Sequence, residues 1–153
     1  MNTHEAMNYA LGLAKKAEEA DEVPVGAVIL LNQKIIATGY NQKHATNQVS
    51  KHAEMIAIEE ACRKLGNWRL KECQLVVTLE PCLMCSGALS QARIKKVTYG
   101  TKDPKAGALG SLYHVHSDKR LNHQFEIEVN ILQEQCSNIL KDFFKKKRSQ
   151  KEC

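Results

Sequence analysis

Two short segments of the chain contain residue types that bind metal ions and transfer protons. The first is residues 52–54 (His-Ala-Glu), and the second is residues 81–85 (Pro-Cys-Leu-Met-Cys). Thiolates and imidazoles are good zinc ligands, and zinc takes four ligands in tetrahedral geometry. The two cysteines are three residues apart, so on a helix they share a face and can bind one ion. His52, Cys82 and Cys85 are therefore the predicted metal ligands.

Three protein ligands are fewer than a structural zinc site uses. Structural sites are usually closed by four protein ligands, whereas catalytic sites keep one position for water. Zinc lowers the pKa of such a water from about 16 towards 7, so that hydroxide is available at neutral pH. Both segments lie at the starts of predicted helices, where the helix dipole favours negative charge and thiolates stay deprotonated. The set predicts a catalytic site with one Zn²⁺ per subunit.

Glu54 follows His52 by two residues, and this spacing separates their roles. On an ideal helix such positions diverge by roughly 200°, so one lateral face cannot present both side chains. A helix that points its first turn end-on at the metal can present both. We expect that geometry, with Glu54 reaching the water and not the zinc. Glu54 would take a proton from the water and deliver it to the leaving nitrogen.

Each motif alone has other interpretations. A Cys-x-x-Cys pair also occurs in thiol redox proteins, but a redox pair needs no His-x-Glu. A non-catalytic RNA-binding module with structural zinc would need a fourth ligand, and no second Cys-x-x-Cys or His pair with zinc-ligand spacing is present. Such a module would also have no use for Glu54. The two motifs together, with Pro81 before the first cysteine, form a signature of zinc-dependent nucleobase deaminases.

The apolar spacing predicts the elements that position these motifs. Strands alternate with helices, which implies a sheet covered on both faces. The first two strands form an antiparallel hairpin, and helical crossovers make later neighbours parallel. In chain order we predict a helix over 5–19, strands over 25–31 and 34–39, a helix over 52–65 ended by Gly66, a strand over 75–79, a helix over 82–92, a strand over 97–99 closed by Gly100, a loop over 103–111, an edge strand over 125–129 and a basic helix over 131–148.

Composition and charge limit the remaining possibilities. The 153 residues fit a single domain, residues 1–153. No apolar run approaches the roughly 20 residues of a membrane span, and the N-terminus lacks a secretory signal pattern. We therefore expect a cytoplasmic protein with no membrane contact and no disulfides, and we expect Cys153 to be an incidental thiol.

The net charge of +5 is concentrated at the C-terminal end. Residues 141–153 include six basic and two acidic residues, so they carry +4 of it. This uneven distribution favours contact with a polyanion at that end. A solvated helix end is the alternative explanation.

Over nearly its full length the sequence resembles the bacterial tRNA-specific adenosine deaminases, within the cytidine deaminase superfamily. The core motifs are shared with other deaminases, whereas a Gly-Ser loop, an Asn-His pair and a basic Phe-Phe end are more particular to the tRNA enzymes. The resemblance implies a three-layer α/β/α cytidine-deaminase-like fold, with a central mixed sheet of about five strands and helices on both faces. The matching segments are residues 22–27, 52–54, 77–88, 107–112, 121–123 and 142–144.

The resemblance also implies a substrate and a partner. It implies conversion of adenosine to inosine at the wobble position (34) of a tRNA anticodon, in an arginine tRNA, by a homodimer whose two subunits form the RNA-binding surface. The residues it assigns to the substrate are Val25, Gly26 and Asn41 at the target base, and Asp103, Lys105, Phe144 and Arg148 along the anticodon stem-loop.

Some of these assignments have alternatives in the residues themselves. A deaminase of a free base or nucleoside shares the zinc chemistry and would not need the basic end. Asn41 could hydrogen-bond an adenine edge, but an Asn before a polar loop is often a turn former. Phe143 and Phe144 are adjacent and cannot face the same way, so we expect one in the core and Phe144 towards RNA. Glu80 could support a metal ligand or cap a helix.

Overall fold

Five helices and five strands make up the part of the chain that this computed structural model describes, residues 1–152, with side chains described to residue 150. Cys153 lies outside the described residues. In chain order the elements are α1 (Thr3–Glu19), β1 (Gly26–Leu31), β2 (Lys34–Tyr40), α2 (Lys43–Thr46), α3 (Ala53–Leu65), β3 (Gln74–Leu79), α4 (Leu83–Gln91), β4 (Lys96–Thr101), β5 (Glu126–Val129) and α5 (Gln133–Glu152).

The strands form one mixed sheet in the order β2-β1-β3-β4-β5. The predicted hairpin is confirmed, and β3, β4 and β5 are parallel to one another as expected. The crossover from β2 to β3 behaves differently, because it passes over β1, so β3 pairs antiparallel with β1. Consequently β2, β3 and β4 all point the same way. Their C-terminal ends meet the start of β1 at a single edge of the sheet.

Alternating side chains of β1 feed two hydrophobic cores. Ala27 and Ile29 face a larger core that includes residues of α3 and α4, whereas Val28 and Leu30 face a smaller core against α1. The helices α1 and α5 contact one face of the sheet, and α3 packs on the other with α4 beside it. The predicted three-layer α/β/α architecture with a five-stranded mixed sheet is confirmed. None of the described helices combines the length and the hydropathy of a membrane span.

Local conformations explain why the hairpin and α3 form where the sequence predicts them. Asn32 and Gln33 both have positive φ, 52° and 63°, which suits the two-residue turn of a tight hairpin. Gly66 ends α3 in the left-handed conformation at φ 61°. Glycine adopts that conformation without steric cost, so it is a common residue after a helix.

Several predicted boundaries were wrong. Gly100 does not close β4 but lies within it. The position needs glycine because a Cβ there would lie 2.3 Å from the Cys136 sulfur on α5. The C-terminal helix begins at Gln133 and not at residue 131, since Asn130 and Leu132 have φ of 67° and 53° and cannot be helical. It also continues past residue 148, to Glu152.

Candidate active site

Two helix starts meet at the edge where β2, β3 and β4 end. His52 is the residue before α3, and Cys82 is the residue before α4. Both have extended backbones, and neither side chain caps its own helix. The side chains are therefore free to point at a common centre. The predicted helices began one residue early at both places.

The three predicted ligands come together. Nδ1 of His52 lies 3.6 Å from Sγ of Cys82 and 3.5 Å from Sγ of Cys85. All three candidate ligand atoms lie within 4.8 Å of one another. Zinc bonds of about 2.3 Å to sulfur and about 2.0 Å to nitrogen, arranged tetrahedrally, require N···S separations of about 3.5 Å. The group therefore fits a tetrahedral ion, which His52 would bind through Nδ1.

The two thiols differ in their affinity for protons. Hydrogen bonding from Cys85, assisted by His52 and opposed by burial, lowers the pKa of Cys82 to about 4. The same pairing with Cys82, together with burial, raises the pKa of Cys85. Hydrogen bonding to Cys82 raises the pKa of His52. Negative charge is thus already stabilised at Cys82, which favours binding of a cation.

Glu54 is buried in the first turn of α3, with only 4% of its surface exposed. Burial raises the pKa of Glu54 to about 7. It lines the same cavity as His52 and Cys82, which is the end-on arrangement that the two-residue spacing requires. A carboxyl group that titrates near neutrality can both accept and return a proton, as general acid–base catalysis needs.

The cavity in front of these residues, called the catalytic cavity below, has a volume of about 360 Å³. Such a volume is in the range of small-molecule sites. Its walls come from the segment before β1, the turn after β2 and the ends of β3 and β4. The other lining residues are Glu22, Val23, Val25, Asn41, Lys43, His44, Leu79, Glu80, Asp103 and Ala106.

Comparison with known proteins agrees with this geometry. The MafB19-like deaminase family matches residues 1–148. The tRNA-specific adenosine deaminase of Bacillus subtilis strain 168 is 46% identical over 145 residues, which cover 95% of this chain and 90% of that protein. The chain belongs to the tRNA-specific adenosine deaminase family. It is therefore a member of a family of hydrolytic deaminases.

Two solved structures show how far the likeness extends. One comes from work on A-to-I editing by tRNA:A34 deaminases at the wobble position of transfer RNA. It has a TM-score of 0.86 and 40% identity, over 89% of this chain and 99% of that one. A guanine deaminase from Bacillus subtilis has a TM-score of 0.64 and 39% identity, over 67% of this chain and 66% of that one. The two sequence identities are nearly equal. The two structures therefore differ in their likeness to this chain through the TM-score and the share of each chain that is covered.

The residues that the family resemblance assigns to the substrate are divided between two adjoining cavities. The second cavity has a volume of about 580 Å³ and lies between α5 and the loop after β4. Four residues line both cavities: Val23, Leu79, Asp103 and Ala106. Of the predicted residues, Val25, Asn41 and Asp103 line the catalytic cavity, and Asp103, Lys105, Phe144 and Arg148 line the second one.

Asn41 has a structural task beside the cavity. Its Oδ1 accepts a hydrogen bond from the backbone N–H of Ala53 at 2.8 Å, and its Nδ2 donates to the carbonyl of Val23 at 3.1 Å. The side chain therefore ties the start of α3 to the segment before β1. An amide has two N–H groups and two oxygen lone pairs, so one of each stays available for a base edge.

Gly26 lines neither cavity. A Cβ at this position would lie 2.0 Å from the carbonyl oxygen of Ala10 and 2.7 Å from the nitrogen of Ala14. The glycine therefore allows β1 to pack closely on α1, and its predicted contact with the target base stays a prediction.

The two phenylalanines separate as expected. Phe143 is buried at 7% exposure, whereas Phe144 is 45% exposed and lines the second cavity.

Glu80 supports neither a metal ligand nor a helix start, and both predicted roles were wrong. Its buried carboxylate accepts hydrogen bonds from the N–H groups of Asp103, Leu109 and Ser111 and from the Ser111 hydroxyl. It thereby binds the loop after β4 and holds Asp103 at the cavity. A Cβ at Gly107 would lie only 2.2 Å from this carboxyl group, so the loop needs glycine there.

Glu22 is a site residue that the sequence analysis missed. It is 1% exposed, and its carboxylate accepts hydrogen bonds from the N–H groups of His44 and Ala45. The signal in the sequence was an acidic residue close to an apolar strand. If such a carboxylate is buried, it needs hydrogen-bond or ionic partners, because buried carboxylates occur almost only with partners.

Proposed function

We propose that this protein converts adenosine to inosine at the wobble position (34) of a tRNA anticodon, using a zinc ion held by His52, Cys82 and Cys85. One observation carries the proposal. Buried Glu54 opens onto the same cavity as the ligand group, in a chain of the tRNA-specific adenosine deaminase family. The reaction consumes water and releases ammonia.

The ligand residues and Glu54 divide the chemistry between them. A zinc ion at this position supplies the Lewis acidity that makes water nucleophilic at neutral pH. Glu54 takes the proton from the attacking water, whose oxygen bonds to C6 of adenine. It then delivers that proton to the amino nitrogen, the C6–N bond breaks and ammonia leaves. The second proton of the water passes to N1 as the oxygen on C6 becomes the carbonyl of inosine. A pKa of about 7 suits both transfers.

Other residues of the two cavities hold the RNA. Asn41 hydrogen-bonds an edge of the flipped base, and Val25 packs against the base, next to Gly26. Asp103 and Lys105 follow the anticodon loop, and the exposed ring of Phe144 offers a surface on which a neighbouring base can stack. Arg148 binds a phosphate, as guanidinium groups commonly do.

The partner is the anticodon stem-loop of an arginine tRNA, bound by a homodimer in the cytoplasm. Exposed apolar side chains near the ligands support the dimer, because such patches mark interaction surfaces. They are Leu83, Met84, Leu112 and Tyr113.

The test is incubation of zinc-loaded protein with a mixed tRNA pool, followed by sequencing for A-to-I changes. We expect inosine at position 34 of an arginine tRNA, and none with the Glu54→Ala variant. Free guanine and free adenosine are assayed in parallel for ammonia release. Turnover of a free compound, with no inosine at any anticodon, would show that the enzyme is a free-base or nucleoside deaminase.

A further inference from the structure

The turn between β2 and α3, residues 41–51, includes the short helix α2 and forms a basic wall of the catalytic cavity. It contains Lys43, His44 and Lys51 and no acidic residue. Lys51 forms an ion pair with Glu59 of α3 at 3.0 Å, so Lys43 and His44 are the basic side chains that this segment offers to the cavity. Lys43 and His44 line the catalytic cavity together with His52 and Glu54. Both residues are exposed, so their side chains are accessible from solvent.

The turn is held in place by buried hydrogen bonds. The buried carboxylate of Glu22 accepts hydrogen bonds from the backbone N–H groups of His44 at 2.9 Å and Ala45 at 2.7 Å. The turn is closed on itself, because the N–H of Gln42 donates to the carbonyl of Lys51 at 2.9 Å. A burial this complete is stable only because the carboxylate has these partners. The backbone that carries Lys43 and His44 is therefore fixed relative to the cavity.

The topology of the sheet places this turn across the cavity from the other basic residues. The turn follows β2, whereas the loop with Lys102 and Lys105 follows β4. In the sheet β2 and β4 are separated by β1 and β3, and three strand spacings amount to about 14 Å. Lys102, Lys105 and Arg148 line the second cavity and not the catalytic one. Basic groups thus stand on both sides of the position where a base would react.

We propose that Lys43 and His44 bind the RNA backbone on the side of the target nucleotide that faces away from α5. The target adenosine is then held between two backbone contacts, one on each side. This inference rests on the proposed function. It restricts the substrate to a nucleic acid, because a free base has no phosphate for the basic wall to bind. Lys43 binds a phosphate through its ammonium group, and His44 donates a hydrogen bond from its ring.

The test measures RNA binding by full-length, zinc-loaded protein. The Glu54→Ala background prevents turnover, and fluorescence anisotropy with a labelled anticodon stem-loop gives Kd between 50 and 200 mM salt. The Lys43→Gln/His44→Gln double variant should bind about 3- to 10-fold more weakly. The slope of log K against log salt should become shallower by about 0.7 for each lost phosphate contact.

Two further variants separate charge from structure. Lys71→Gln is the matched control, because Lys71 is exposed and precedes β3, at the opposite end of that strand from the site. It should leave Kd and the salt slope unchanged. Lys43→Arg, combined with native His44, should retain most of the affinity because the charge is kept. Thermal unfolding and zinc content are expected to match in all variants.

The outcomes are distinguishable. If the double variant binds with the unsubstituted Kd and salt slope, while the enzyme with Glu54 intact deaminates the same stem-loop, the inference is overturned and the proposed function stands. If the enzyme with Glu54 intact produces no inosine in that stem-loop, both are overturned. A weaker Kd with a shallower slope, absent from Lys71→Gln, supports the inference.

Discussion

At the scale of single residues, Glu54 differs from its neighbours in the site because it is the candidate proton carrier, whereas they are candidate metal ligands. It is buried beside two thiols and an imidazole, yet it lines the cavity instead of completing the ligand group. Replacing it with Gln keeps its shape and removes its ability to carry a proton. We expect the Glu54→Gln variant to retain its zinc and its stability. Its rate of inosine formation should fall about 10²- to 10⁴-fold, which is the usual contribution of a general acid–base.

Zinc content, thermal unfolding and inosine formation on a tRNA stem-loop check this expectation. Glu72→Gln is the matched control, because Glu72 is exposed and forms only a surface ion pair with Lys95 at 3.8 Å. Exposed pairs of this kind contribute little to stability. A Glu54→Gln enzyme that works at the unsubstituted rate would show that another group moves the protons.

Substitution of two glycines by alanine should change the free energy of unfolding in opposite directions. A methyl group at Gly107 would collide with the carboxyl group of Glu80, which four hydrogen bonds hold in place. We expect Gly107→Ala to lower the free energy of unfolding by about 1–3 kcal/mol, as overpacking does. Gly12 lies within α1 with nothing within 4 Å of an added Cβ. Gly12→Ala should therefore raise the free energy of unfolding by about 0.5–1 kcal/mol.

Urea denaturation of the two variants gives both free energies. Equal stability of Gly107→Ala and Gly12→Ala would mean that the loop after β4 can move away from Glu80. In that case the four hydrogen bonds would not fix the loop.

At the scale of elements, α5 presents basic side chains in two directions. Arg148 lines the second cavity, which adjoins the catalytic one, whereas Lys145 and Lys146 line a groove against α1. Only the first direction leads to the catalytic cavity, where the proposed function places the reacting base. We expect Arg148→Gln to weaken binding of the stem-loop about 3- to 10-fold and to make the salt dependence shallower by about 0.7.

Lys146→Gln serves as the control for charge, because it removes the same formal charge two residues away in the chain. It should leave the Kd nearly unchanged at 150 mM salt. Equal weakening by the two variants would indicate that the net charge of the C-terminal end attracts RNA, without a specific contact on α5.

The elements also show what could be predicted from the sequence and why. The proximity of His52, Cys82 and Cys85 at two helix starts was predictable to within one residue, because the spacing within each motif is local. The tasks of Glu22 and Glu80 were not, since their hydrogen-bond partners lie 22 to 31 residues away in the chain. Gly100 was misread for the same reason, because it accommodates Cys136 on a distant helix.

At the scale of the whole molecule, exposed apolar side chains lie beside the site, and we propose that they form the interface of the homodimer. The N–H of Leu112 donates to the carbonyl of Gly107 at 2.9 Å, and Gly107 pairs with Cys82 in an isolated bridge. The exposed Leu112 is therefore linked through the backbone to the start of α4, where Leu83 and Met84 are also exposed. Apolar side chains so close to the ligands would place the dimer interface at the edge of the catalytic cavity.

We expect Leu112→Glu to prevent formation of the proposed homodimer, because burying a leucine contributes about 1.5–3 kcal/mol and a buried unpaired carboxylate costs more. Sedimentation velocity at micromolar protein should show the change. Tyr9→Glu is the control, since Tyr9 is equally exposed but lies on α1, on the opposite face of the sheet. If both subunits form the RNA surface, the Leu112→Glu monomer should also lose affinity for the stem-loop while keeping its zinc. A Leu112→Glu protein that remains dimeric would place the interface elsewhere, and one that is monomeric but binds RNA normally would show that a single subunit suffices.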